Sequence, residues 1–130
     1  MKPGILCVDD EAILTLALTR SLKSAFGPSV HVDAACSAEE ALEAIEELKG
    51  AEVDTQVVIC DLFMPGIRGD EFLATIKVRY PNIRSILLTG MPDEEESAKI
   101  AGDLGLFALL SKPVKTSELV EIVGKALGKS

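Results

Sequence analysis

Four polar signatures stand out along this chain because each closes an apolar run. Asp9, Asp10 and Glu11 follow Ile5–Val8, Asp61 follows Val57–Cys60, Thr89 follows Ile83–Leu88, and Lys112 follows the run from Leu106 to Leu110. Carboxylates gathered in one place repel each other and raise at least one pKa. A hard divalent cation relieves that repulsion: Mg²⁺ favours one or two carboxylates, waters and phosphate oxygens, and Mn²⁺ suits the same donors. A lysine ammonium is a mobile point charge matched to one phosphate oxygen, and a threonine hydroxyl can donate to another. Phosphoryl transfer asks mainly for positioning and charge neutralisation, so an acceptor carboxylate, a metal and a cation are sufficient equipment. Taken alone, an acidic pair is more often a solvated turn or helix cap, Thr89-Gly90 a turn, and Lys112-Pro113 a strand exit. Their joint placement is what favours a site.

The elements that must bring them together can be read from periodicity. Short apolar runs that read as buried strands are Ile5–Val8, Val30–Ala35, Val57–Cys60, Ile83–Leu88 and the run from Leu106 to Leu110. Between them lie amphipathic stretches with helical spacing: Glu11 to about Phe26, Ser37 to about Lys49, Asp70 to Arg79, Asp93 to about Gly102, and Thr116 to Leu127. Ser37 with Glu40, and Asp93 with Glu96, have capping-box spacing; Gly27-Pro28, Gly50 and Pro81 are stops. Strand and helix alternate five times, which predicts an α/β fold with a doubly wound parallel sheet covered on both faces. In such sheets the site lies beyond the carboxyl ends of the strands, where the winding direction switches. That rule sends Asp9, Asp10, Asp61, Thr89 and Lys112 to one rim.

Bulk properties agree with one domain over residues 1–130. The chain is 48% hydrophobic and 26% charged, with no Trp and only 4% aromatic residues, so its core must be aliphatic. A net charge of -8 repels a nucleic-acid backbone and argues against DNA or RNA as a partner of this domain. No run approaches membrane-spanning length, and no signal peptide precedes the first strand. Cys7, Cys36 and Cys60 have neither zinc nor redox spacing; they read as core residues in a reducing compartment, which points to the cytoplasm.

The motifs together resemble the receiver domain of two-component response regulators: Asp9-Asp10-Glu11, Asp61 followed by Met64-Pro65-Gly66, Thr89-Gly90, and Lys112-Pro113. The resemblance spans essentially the whole chain. It implies a flavodoxin-like (βα)5 fold with strand order 2-1-3-4-5, and a signalling phosphoacceptor rather than an enzyme. By resemblance Asp61 takes the phosphoryl group from a phosphohistidine on a sensor histidine kinase or histidine phosphotransfer protein. Asp10 binds Mg²⁺ directly, Asp9 does so through water, and the backbone carbonyl of Phe63 completes the protein ligands. Lys112 pairs with Asp61 and then with its phosphoryl group, and Thr89 moves to hydrogen-bond that group. A cis Lys112-Pro113 bond is the family's common state. Family members also pair through the face of the fourth helix, fifth strand and fifth helix, so a homodimer there is implied as well.

Three features depart from the family pattern or extend it. Leu109 stands where the usual switch aromatic lies; Phe107 is the nearest ring, and strand alternation puts it on the same face. Phe63 and Met91 are apolar where polar groups are common, which predicts hindered attack by water and a long-lived phosphorylated state. Ile13 and Leu16, on an unusually wide apolar surface of the first helix, are expected to form a docking patch for the phosphoryl donor; deep wedging of that helix is the competing expectation. Three other functions compete. A dinucleotide enzyme needs a glycine-rich turn where the chain has Asp9-Asp10-Glu11, and an aspartyl phosphatase needs a second carboxylate where Phe63 stands. A receiver-like interaction module acting without phosphorylation is the stronger rival, favoured only by Leu109.

Overall fold

In a computed structural model that describes residues 1–90 and 94–128, five strands alternate with five helices. They are β1 (Lys2–Val8), α1 (Ala12–Phe26), β2 (His31–Ala35), α2 (Ala38–Gly50), β3 (Val53–Asp61), α3 (Gly69–Arg79), β4 (Arg84–Thr89), α4 (Glu94–Leu104), β5 (Ala108–Ser111) and α5 (Thr116–Ala126). Every strand pairing is parallel and the order is β2-β1-β3-β4-β5, the doubly wound arrangement expected from the alternation.

Strand side chains alternate between two cores, which is why the central strands are apolar on both faces. Leu6, Val8, Val58, Cys60 and Leu87 pack under α2 and α3 with Ile45, Phe72, Leu73 and Ile76, and Ile100 and Leu104 of α4 join them. Ile5, Cys7, Val57, Ile59, Ile86 and Leu88 face α1 and α5 through Leu22, Leu119, Val123 and Ala126. Ser37 caps α2 as its spacing predicts, its hydroxyl accepting the Glu40 N–H at 3.1 Å. Asp93 and Met91 lie outside the described residues.

Several elements differ from the sequence reading. β3 begins at Val53 rather than Val57, because Asp54 and Thr55 still pair with Pro3 and Gly4 of β1, and Gln56 is the extra residue taken up by the irregularity between Gly4 and Ile5. The fifth strand begins at Ala108, so alternation does not extend back to Phe107. Leu106 and Leu109 pack into the α2–α4 core, whereas Phe107 lies beside the Arg84 guanidinium, 5.8 Å from its ring centroid. Cys36 is not core: it is exposed in the loop before α2, and its thiol donates to Glu40 Oε2 at 2.8 Å. Cys7 and Cys60 are buried as expected, and burial, with the Asp33 charge adding, pushes the Cys7 thiol up to about 12.

The first helix turns an unexpected face to the sheet. Thr15, Thr19 and Leu22 are its buried residues, and the two threonine hydroxyls donate to the carbonyls of Ala12 and Leu16 at 2.9 and 3.0 Å. Ile13 is 86% and Leu16 51% exposed, so the wedged alternative fails for these two side chains.

Candidate functional site

Strand register places the site. Val8 pairs with Cys60 and Asp61 pairs with Leu88, so the residues leaving β1, β3 and β4 emerge side by side at one rim. Thr89 pairs with Ser111, and the Lys112 N–H donates to the Thr89 carbonyl at 2.8 Å, which brings β5's exit to the same edge. Asp9 and Asp61 are buried there, Asp10 is exposed, and Thr89 is buried. Oxygens of Asp9, Asp10 and Asp61 all lie within 4.8 Å of one another. Lys112 Nζ is 2.9 Å from Asp61 Oδ1 and 4.0 Å from Asp9 Oδ2. The Lys112-Pro113 bond is cis.

Polar bookkeeping marks a gap in this cluster. Asp9 Oδ1 accepts the Glu11 N–H at 3.0 Å, but the buried Asp9 Oδ2 has no hydrogen-bond partner among the described residues. Burial raises the Asp9 pKa; the Glu11 N–H works against that, while the Asp61 charge and the contact with Asp10 add to it. Burial also works against the Lys112 ammonium, yet its bond to Asp61 and the charges of Asp61, Asp9 and Glu11 outweigh it and raise that pKa. An all-oxygen donor set with crowded carboxylates and an orphaned buried oxygen fits a hard divalent cation.

The description "response regulator receiver domain" is that of the family model matching residues 5–124. The chain belongs to this family. Relatives of this receiver domain include the hydrogenase transcriptional regulatory protein HoxA of Cupriavidus necator, 31% identical over 123 residues. Another is the sensor kinase CckA of Brucella abortus, 34% identical over 125 residues. The chain is matched over 95% and 96% of its length but spans only 24% of HoxA and 12% of CckA. Among solved structures, the beryllofluoride-activated NtrC4 receiver domain dimer superimposes with a TM-score of 0.82 at 28% identity, covering 98% of both chains.

Of the residues singled out from sequence, Asp9, Asp10, Asp61 and Lys112 meet within ion-pair or ligand distance, and Thr89 ends the adjacent strand. Phe63 is 55% exposed just beyond Asp61. Two residues that the sequence reading missed support it. Gly69 opens α3 directly on Asp61: its N–H donates to the Leu62 carbonyl at 2.7 Å, and an added Cβ would strike the Asp61 carbonyl oxygen. Arg68, just before it, lies 5.4 Å from the Phe63 ring centroid. A glycine immediately before the acidic first turn, Asp70-Glu71, was the available signal for the first; no spacing rule marks the second. Beside the site, a groove of about 460 Å³ runs between α1 and the turn after β5, lined by Glu11, Leu14, Leu18, Leu88, Lys112, Pro113 and Val114.

Proposed function

We propose that this receiver domain accepts a phosphoryl group on Asp61 from a phosphohistidine of a sensor histidine kinase or histidine phosphotransfer protein. The observation that carries this reading is the 2.9 Å contact between Lys112 and Asp61 beside the orphaned oxygen of Asp9. In the transfer, a carboxylate oxygen of Asp61 forms a bond to phosphorus while the P–N bond of the donor breaks, its electron pair leaving with the imidazole. Lys112 neutralises charge on the transferred group, and Thr89 donates a hydrogen bond to it. Asp10, Asp61 and the Phe63 carbonyl would hold Mg²⁺ or Mn²⁺, with Asp9 acting through water. The ion supplies neutralisation of the phosphoryl oxygens. The crowding of three carboxylates is the reason such a site has affinity for it.

Ile13 and Leu16, exposed on α1, are the proposed docking patch for the donor. Homodimerisation through α4, β5 and α5 belongs to the same reading; the fold match to the NtrC4 receiver domain dimer supports it. The free cysteines suit a cytoplasmic setting, and no helix among the described residues is long and apolar enough to cross a membrane. Intact-mass measurement after incubation with Mg²⁺ and a small phosphoryl donor tests the central step. The expected result is a gain of one phosphoryl mass that is absent in Asp61→Asn. No uptake from either a small donor or a phosphohistidine protein would favour a binding module that works without phosphorylation.

A further inference from the structure

Arg68 belongs to none of the family motifs, yet it joins three parts of the molecule beside the acceptor. Its Nε donates to Asp70 Oδ1 at 3.1 Å in the first turn of α3, and its Nη2 lies 3.9 Å from Glu96 Oε1 on α4. Its guanidinium carbon is 5.4 Å from the centroid of the Phe63 ring. The root of this side chain is fixed. The Arg68 carbonyl accepts the Phe72 N–H at 3.0 Å, and the next residue, Gly69, packs on the backbone of Asp61 and Leu62. A planar guanidinium held at two of its nitrogens has little freedom, so a ring stacked on it is held too. Phe63 needs such a hold: it is 55% exposed and joins neither core.

We propose that Arg68 is a positioning residue that holds the Phe63 ring at the mouth of the phosphoryl site and so lengthens the life of the phosphorylated state. This rests on the reading of Asp61 as acceptor. In hydrolysis a water oxygen forms a bond to phosphorus, the bond from Asp61 to phosphorus breaks, and the carboxylate and free phosphate are released. A ring pinned beside Asp61 excludes that water; a ring free to swing does not.

Two measurements test it. The chain contains no Trp, so Phe63→Trp introduces a single indole reporter at the ring's position. Acrylamide should quench it more strongly when Arg68→Ala is added, and equal quenching would overturn the proposal without any phosphorylation being involved. In the second, phosphoryl decay is followed in Arg68→Ala, Phe63→Ala and the double variant. Arg68→Ala should speed decay about two- to five-fold, the scale of one exposed cation–ring contact. Arg68→Lys should restore part of the lifetime, and Arg68→Ala should change nothing once Phe63 is Ala. The same acceleration in the Phe63→Ala background would show that Arg68 acts only through its charge, and the proposal would fall. A parent that never takes up phosphoryl refutes the reading of Asp61 instead, while the quenching result still decides whether Arg68 holds the ring.

Discussion

Asp9 shows what burial beside a second carboxylate does to a single residue. Its raised pKa, caused first by burial and reinforced by Asp61, means that ionising it in the folded chain costs stability. The contribution is full below the ordinary value of 3.8 and is lost as pH rises through the raised folded value. Asp9→Asn should therefore stabilise the metal-free domain at neutral pH, read as a higher melting temperature than the parent's. The gain should vanish in acid and shrink when Mg²⁺ is added to both proteins. Melting curves with chelator and with Mg²⁺ decide this; a less stable variant at neutral pH without metal would contradict it. At this scale the sequence was most informative, because residue type and strand-end position gave the acids and the lysine together. It said nothing of Arg68, whose contacts depend on side-chain direction across a loop, and it misjudged Cys36, whose apolar neighbours do not bury it.

Among the elements, the loop from β3 into α3 and the outer face of α1 carry the sharpest consequences. α3 starts against the end of β3 with no room for a side chain at Gly69. Gly69→Ala should cost about 2–3 kcal/mol in denaturant unfolding, since either the Asp61 backbone or the helix must move. An unchanged midpoint would mean that this contact is softer than described. The α1 surface makes the opposite prediction, because Ile13 is 86% exposed and supports nothing in the core. Ile13→Asp should leave stability and small-donor phosphorylation unchanged, yet slow transfer from a phosphohistidine protein about tenfold. Equal transfer rates in parent and variant would remove α1 as the docking surface. Helices and the doubly wound parallel sheet were legible from periodicity and caps, because apolar runs alternating with amphipathic ones admit few topologies; the strand order came from the family resemblance. The polar start of β3 and the late start of β5 were not, because edge residues follow pairing partners rather than their own pattern.

For the molecule as a whole, the net charge of -8 and the two aliphatic cores describe a protein that concentrates acids at one rim and places a lysine among them. The sheet supplies that convergence: the ends of β1, β3 and β5 bring Asp9 and Asp61 to 4.0 and 2.9 Å from the Lys112 ammonium. Which residue becomes phosphorylated is the claim on which the rest depends. Borohydride reduction of the phosphorylated domain converts an aspartyl phosphate to homoserine, and tandem mass spectrometry then locates it. Homoserine should appear at position 61 alone, dependent on divalent cation and sharply reduced in Lys112→Ala. Modification at position 9 or 10 instead, or uptake that survives Asp61→Asn, would contradict it.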